Sequence, residues 1–286
     1  MSKNALFTAC DRNYIPGAVA MLGSARRHHP EVDRFCMVAL ADAEFARRAL
    51  GELATVRTLP RRIDGVHDRL QIANAKVFLS DFRNHAVVAW VDSDILFCRP
   101  APAIWDVQPG RVVAVACPPG HRVPHGMPFD LRAEFADLWP AVAARPGFNA
   151  GLFALRPGDW PDLCAEMTRA ITRGGWYDHP EYFDQTLWNA IFDGREDLLD
   201  SQYNWTEMFD APPDPGTVRL VHFASRPKPW EPGYPVHEPA YSFWVEHGLN
   251  EQDSAILRRV RRRIRIRTPR RLLARLLRRL RAKVTE

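Results

Sequence analysis

The chain has 286 residues, of which 46% are hydrophobic and 26% are charged, so it suits one large globular domain or one domain with an appendage. This composition excludes collagen, a coiled coil and wholesale disorder, and no apolar run is long enough for a spanning helix or a signal peptide, so we expect a cytoplasmic protein. Residues 1–257 hold 25 Lys and Arg against 33 Asp and Glu, whereas residues 258–286 hold 14 against one. The body is therefore acidic, which excludes a basic nucleic-acid surface over the whole protein.

The body of the chain alternates predicted strands with predicted helices. The predicted strands are 5–9, 34–40, 54–56, 85–91, 111–117 and 151–155, and the predicted helices are 14–29, 43–50 and 71–82. This alternation indicates an α/β fold with a largely parallel sheet flanked by helices. The Pro-rich stretches 211–216 and 226–239 are predicted to be irregular loops.

The C-terminal segment has a different pattern. Leu273, Leu276, Leu277 and Leu280 follow the spacing of one helical face, and arginines fill the other positions. A basic amphipathic helix of this kind is typical of an anionic membrane surface, and a solvated tail or a helix packed on the acidic body is the alternative. No aromatic residue between 258 and 286 is available to stack on bases, so nucleic acid is not the expected partner. We place the body at residues 1–250 and the helical tail at 251–286.

The five cysteines are odd in number and form no C-x-x-C pair, so we expect free core thiols rather than a disulfide framework or a zinc site.

The clearest chemical pattern follows the predicted strand 85–91, where Asp92-Ser93-Asp94 sets two carboxylates one residue apart. Ligands of open α/β sheets bind outside the carboxyl ends of the strands. Carboxylate oxygens suit Mg²⁺ or Mn²⁺, and such a cation would neutralise the phosphate charge of a nucleotide. Short Asp spacings are also common in loops, so an ordinary polar loop remains the alternative for this motif alone.

Three further segments supply polar groups, and each alone has an ordinary interpretation as a helix cap, a structural histidine or a surface lysine. They are Asn149-Ala150-Gly151 before an apolar strand, Asp184-Gln185 at a predicted helix start, and a segment running from His222-Phe223 to Lys228-Pro229-Trp230. Together they provide metal ligands, a cation for phosphate and polar groups for a polyhydroxy substrate. Trp90, Trp188 and Trp230 are expected to be core residues.

The order D-x-D, N-A-G, D-Q and H-F-x-x-x-x-K-P-W resembles that of glycosyltransferase family 8, the group of glycogenin and the bacterial lipooligosaccharide galactosyltransferases. The match runs from Leu6 to about Trp230. The resemblance implies a GT-A fold, Mn²⁺ (or Mg²⁺), and retaining transfer of glucose or galactose from a UDP-sugar to a glycan or glycolipid hydroxyl. The basic tail of its bacterial members implies peripheral attachment to the inner membrane face.

The resemblance also assigns roles to residues of this chain. The metal would bind Asp92, Asp94 and His222, and Lys228 would stabilise the departing UDP. The nucleotide side would comprise Thr8, Ala9, Asp11, Tyr14, Arg69, Lys76 and Ser93, and Tyr14 would stack on uracil. The transferred sugar would lie among Asn149, Asp184 and Gln185, and Asn204 would line the same site.

Two departures from the family pattern affect these expectations. Ala224 and Ser225 stand where the family has a glycine after His-Phe, and the segment between Asp94 and Asn149 is long, with residues 121–126 expected to face the acceptor. The residues leave open a covalent intermediate on Asp184 or same-face attack aided by Gln185. Two other function classes also stay open, a metal-dependent phosphoryl or nucleotidyl enzyme and a catalytically silent membrane-surface adaptor.

Overall fold

The computed structural model describes residues 3–64, 66, 68, 71–117, 147–174, 183–206, 214, 216–231, 233–235 and 239–248. Arg69, residues 121–126 and the tail from 251 onward lie outside these ranges, as does most of the predicted loop 211–216.

Within the described residues, ten strands form two sheets. They are β1 (Ala5–Ala9), β2 (Asp33–Val38), β3 (Thr55–Thr58), β4 (Val88–Val91), β5 (Ile95–Phe97), β6 (Val112–Ala116), β7 (Phe148–Leu155), β8 (Glu196–Leu199), β9 (Trp205–Thr206) and β10 (Leu220–His222). The large sheet has the order β3-β2-β1-β4-β7-β6-β8. Its strands run in one direction except β7, which is antiparallel to both neighbours. The predicted largely parallel α/β architecture is confirmed.

Helices cover both faces of the large sheet. Among the described residues these are α1 (Ile15–His28), α2 (Ala43–Leu50), α3 (Leu163–Gly174) and α4 (Phe183–Ile191), and a short α5 (Pro239–Phe243) follows later in the chain. Side chains alternate along β1, so that Leu6 joins the core with α1 and α2, whereas Phe7 joins the second core with α4. All four residues of β4 are buried, which is typical of a central strand covered on both faces.

One predicted helix differs from the structure. The segment 71–82 begins with turns and continues as a 3-10 helix, Ala75–Asp81, in which all residues from Ala75 to Ser80 are buried. Over seven residues, an apolar sequence does not distinguish a repeat of 3.0 from one of 3.6 residues, and this explains the error.

The small sheet brings distant parts of the chain to the end of β4. It has the order β5-β10-β9, with β5 and β10 antiparallel, and His222 of β10 lies opposite Ile95 of β5. Since Ile95 directly follows Asp94, this register places His222 beside the second aspartate of the D-x-D segment. None of the helices within the described ranges combines the length and apolar character needed to span a bilayer.

Candidate active site at the carboxyl edge of the sheet

Two aspartates mark the point where the large sheet meets the small one. Asp92 directly follows β4, and its backbone N–H donates to the carbonyl of Gly151 on β7 at 2.8 Å. Asp94 directly precedes β5, and its carbonyl accepts from Phe223 N–H at 3.0 Å. The D-x-D segment is therefore fixed at both ends by main-chain hydrogen bonds, as a rigid ligand set requires.

Asp92, Asp94 and His222 form the candidate metal group. Each offers one ligand atom, and these atoms all lie within 4.8 Å of one another. A Cβ built on Gly151 would lie 2.7 Å from His222 Cε1 and 3.0 Å from Asp92 Oδ2, so the strand approaches the group as closely as glycine permits. Two carboxylates and one imidazole suit Mg²⁺ or Mn²⁺, so the residues fit the expected metal.

Asp92 is oriented by the side chains of Trp90 and Lys76. The indole N–H of Trp90 donates to Asp92 Oδ1 at 2.7 Å, and Lys76 Nζ lies 3.9 Å from the same oxygen. Lys76 is 1% exposed, donates to the carbonyl of Ala150 at 2.9 Å, and lies 5.1 Å from the Trp90 ring centroid. The resemblance assigned Lys76 to the nucleotide side. In the structure, Lys76 lies beside the metal group through its approach to Asp92.

Asp94 is held by two cationic or potentially cationic side chains. Lys228 Nζ donates to Asp94 Oδ2 at 2.8 Å, and His222 Nε2 lies 3.4 Å from Asp94 Oδ1. Burial alone would raise the pKa of Asp94, but Lys228 and His222 outweigh that effect and hold this pKa well below its usual range. Asp94 is therefore an anion over the whole physiological pH range, as a metal ligand must be.

The residues predicted for the nucleotide lie on the neighbouring strand and the turn after it. Phe7 pairs with Trp90 in the parallel register, so Thr8 and Ala9 continue beside the end of β4. Asp11 Oδ1 accepts from the backbone N–H groups of Asn13 at 2.7 Å and Tyr14 at 3.2 Å, which shapes the turn into α1.

Tyr14 connects this turn with the segment that carries Lys228. Its hydroxyl accepts from Arg226 Nη2 at 2.8 Å, and Lys228 Nζ lies 5.7 Å from its ring centroid. Ser93 lies in the same wall, because a Cβ on Gly17 of α1 would lie only 2.5 Å from the Ser93 carbonyl and 2.4 Å from Trp230. The first turn of α1 therefore packs directly on the D-x-D segment.

The predicted sugar-side residues form a chain of side-chain amides. Asn149 Oδ1 accepts from Gly151 N–H at 2.9 Å and from Asn204 Nδ2 at 3.0 Å. Because a backbone donor fixes that oxygen, Asn149 presents its Nδ2 to Gln185 Oε1 at 3.2 Å. Gln185 Nε2 in turn donates to Cys117 Sγ at 3.7 Å. For Asp184, the description covers only its backbone position at the start of α4.

Sequence reasoning missed two residues that contact the site. Trp90 is a core residue as expected, but it also orients Asp92, and its position two residues before Asp92 on a strand was the available signal. Cys117 contacts Gln185, and nothing in the sequence indicates this. Burial raises the pKa of Cys117 to about 12, so the thiol stays neutral and adds no charge beside Gln185.

No protein-family model and no curated protein matches the sequence, whereas solved structures do. The galactosyltransferase LgtC, in complex with donor and acceptor sugar analogues, has a TM-score of 0.62 and 17% identity over 88% of this chain and 99% of its own. The bifunctional glycosyltransferase WbbM gives 0.66 and 17%, over 90% of this chain and 52% of its own. The glycosyltransferase GlyE of Streptococcus pneumoniae gives 0.62 and 20%, over 91% and 63%.

The chain has a GT-A fold. At these identities the likeness concerns the fold alone, and it confirms the fold expected from the motif order. This chain spans about half of WbbM and nearly all of LgtC. The metal group therefore lies on a scaffold that also occurs in enzymes of sugar transfer.

Proposed function

We propose that the chain is a retaining, Mn²⁺-dependent glycosyltransferase that moves glucose or galactose from a UDP-sugar to a hydroxyl of a glycan or glycolipid. The observation that carries this proposal is the group formed by Asp92, Asp94 and His222, with Lys228 in contact with it, at the carboxyl edge of a GT-A sheet. That group offers hard anionic ligands and an ammonium together, which is what a metal-bound diphosphate requires.

On the donor side, each residue has a distinct task. Asp92, Asp94 and His222 would hold Mn²⁺, which when bound would stabilise the negative charge that develops on the diphosphate. Lys228 would donate a hydrogen bond to the same leaving group. Thr8, Ala9, Asp11, Tyr14 and Ser93 would surround uridine, with Arg69 and Lys76 as further donor-side cations.

On the sugar side, the hydrogen-bonded side-chain amides supply oriented polar groups. Gln185 Oε1 accepts from Asn149 Nδ2. Asn149 Oδ1 accepts from Asn204 Nδ2 and from the N–H of Gly151, which lies opposite Asp92, so Asn149 adjoins the metal group. An amide oxygen there would favour the cationic character of the sugar in the transition state. Retention would follow either from same-face attack aided by Gln185 or from a covalent intermediate on Asp184.

The similar structures support the reaction class. LgtC was solved with donor and acceptor sugar analogues, and another LgtC structure is that of an active-site glutamine-to-glutamate mutant. A glutamine within such a site agrees with the role proposed for Gln185. The body at 1–250 would carry this chemistry, and the tail at 251–286 would hold the protein on the inner face of an anionic membrane.

Thermal unfolding with UDP, with and without Mn²⁺, tests the proposal. A ligand that binds only the folded state adds about 2.7 kcal/mol at 100 times its dissociation constant. We expect a UDP-dependent stabilisation that requires Mn²⁺ and is lost in Asp94→Asn. Asp81→Asn is the matched control. Asp81 is exposed and lies before the amino end of β4, whereas Asp94 follows its carboxyl end.

The outcomes separate the three function classes. Stabilisation by UDP and Mn²⁺ in wild type and Asp81→Asn, but not in Asp94→Asn, supports the transferase. Stabilisation by Mn²⁺ with phosphate monoesters but not with UDP would favour the phosphoryl enzyme. No response to any of them at millimolar concentrations would favour the adaptor.

A further inference from the structure

Lys228 is already engaged in the arrangement described above. Its ammonium donates to Asp94 Oδ2 at 2.8 Å, to the carbonyl of Ala224 at 3.0 Å, and to the carbonyl of Phe223. A lysine ammonium has three hydrogens, so each of them has an acceptor within the protein. The side chain is 2% exposed, so these protein acceptors surround most of the ammonium.

The carboxylate of Asp94, which accepts from Lys228, also belongs to the metal group. Asp94 Oδ2 lies against Lys228, and Asp94 Oδ1 lies 3.4 Å from His222 Nε2. A divalent cation bound by Asp94 and His222 would lie close to the Lys228 ammonium, and like charges at such a distance repel strongly in a buried site. Metal and ammonium therefore compete for Asp94.

We propose that Lys228 is the resident counter-cation of Asp94, and that a divalent metal and a diphosphate displace this ion pair together. This inference rests on the proposed function and deepens it. When the metal neutralises Asp94, the Lys228 N–H that donated to Asp94 Oδ2 can donate instead to a diphosphate oxygen. The metal frees a Lys228 N–H for the diphosphate, and the diphosphate offsets the repulsion between the metal and the ammonium. Each ligand therefore strengthens the binding of the other, and their binding is positively cooperative.

Two neighbouring contacts favour such an exchange. The carbonyls of Phe223 and Ala224 hold Lys228 independently of Asp94, so the ammonium keeps two acceptors when it leaves the carboxylate. The ring centroid of Tyr14 lies 5.7 Å from Lys228 Nζ, and Tyr14 belongs to the turn predicted to bind the nucleotide. Lys228 thus lies between the metal group and the nucleotide turn, where a diphosphate would join the two.

The test measures the dissociation constant of Mn²⁺, by the electron paramagnetic resonance signal of free Mn²⁺, without and with saturating UDP. Lys228→Met removes the competing charge, so it should bind Mn²⁺ alone more tightly than wild type, on the order of tenfold. UDP should then improve Mn²⁺ affinity by a smaller factor than in wild type. Lys228→Arg keeps a positive charge and should bind Mn²⁺ alone about as weakly as wild type.

A second variant guards against loss of folding. Lys228→Gln keeps a side-chain donor without the charge, and it should share the tighter Mn²⁺ binding of Lys228→Met. Equal or weaker binding of Mn²⁺ alone in these neutral variants would overturn the exchange. Asp94→Asn distinguishes the two proposals: if it leaves Mn²⁺ binding unchanged, the metal group itself is wrong and the proposed function falls with it. If Asp94→Asn weakens Mn²⁺ binding while the neutral variants do not tighten it, only the exchange is wrong.

Discussion

At the scale of single residues, Gly151 controls how closely β7 approaches the metal group. A methyl group at this position would lie 2.7 Å from His222 Cε1, 2.8 Å from Asn149 Oδ1 and 3.0 Å from Asp92 Oδ2. His222 is buried, and Asp92 and Asn149 are held by hydrogen bonds, so Gly151→Ala must displace site residues. We expect a stability loss of about 1–3 kcal/mol and loss of the Mn²⁺-dependent stabilisation by UDP.

Gly158 provides the matched control for that change. Apart from Gly158 itself and its chain neighbours, no described residue has an atom within 4 Å of a Cβ built on Gly158, so Gly158→Ala adds the same methyl group without such contacts. Thermal unfolding of both variants with Mn²⁺ and UDP makes the comparison. Retention of the full ligand response in Gly151→Ala would contradict the placement of the metal group.

The indole N–H of Trp90 orients one metal ligand, since it donates to Asp92 Oδ1 at 2.7 Å. Trp90→Phe keeps an aromatic ring next to Phe7 and Lys76 but removes the donor to Asp92 Oδ1. Groups that orient a metal ligand commonly change metal affinity by about 10–100-fold, so we expect Mn²⁺ affinity in the presence of UDP to fall by about tenfold.

Trp188→Phe separates the lost hydrogen bond from the changed ring. Trp188 is fully buried in the same core, and its Nε1 has no acceptor among the residues that the structure describes. This variant should retain Mn²⁺ affinity, measured in the same titration. If both variants lose affinity equally, core packing and not the Trp90 hydrogen bond determines the effect.

At the scale of elements, the site depends on how α4 is attached to β7. Asn189 of α4 accepts from Phe148 N–H at 2.8 Å and donates to the Phe148 carbonyl at 2.9 Å, so one side chain serves both main-chain groups at the start of β7. Gln185 lies one helical turn earlier on α4. The sugar-side amides are therefore positioned by this attachment.

Asn189→Ala should loosen that attachment. The change leaves two main-chain groups of Phe148 without this partner in a buried place, and each such group costs about 1–3 kcal/mol. We expect the midpoint of urea unfolding to fall accordingly, whereas Asn84→Ala, at an exposed position, should leave it nearly unchanged. A midpoint for Asn189→Ala equal to that of Asn84→Ala would show that the attachment does not contribute.

Elements also show what the sequence could and could not predict. The buried run 88–91 predicted a central strand, which the structure confirms, because burial on both faces leaves a local apolar pattern. The metal-binding role of the two aspartates that follow it stays a prediction. The small sheet was not predicted, since β9 has two residues and β10 three, and such short strands leave no periodic signal. The family resemblance predicted His222 as a metal ligand, whereas the reason for its position, the pairing of β10 with β5, comes from the structure alone.

At the scale of the whole molecule, charge divides the chain into two parts with different surfaces. The body carries excess acidic residues, and segment 258–286 holds 13 arginines and one lysine against one glutamate. An acidic body is repelled by an anionic membrane, so attachment would depend on the basic segment alone.

Removal of residues 258–286 tests that division. The full chain should sediment with anionic liposomes and not with zwitterionic ones, since each basic residue near an anionic surface contributes about 1 kcal/mol. The truncated chain should remain in the supernatant, yet keep the Mn²⁺-dependent stabilisation by UDP, because all the described site residues precede 249. A full-length variant with Leu276→Ser and Leu280→Ser keeps every charge and distinguishes insertion of an apolar helix face from simple charge attraction. Sedimentation of the truncated chain with anionic liposomes would refute the membrane role of the tail, and loss of the UDP response would show that the tail supports the body instead.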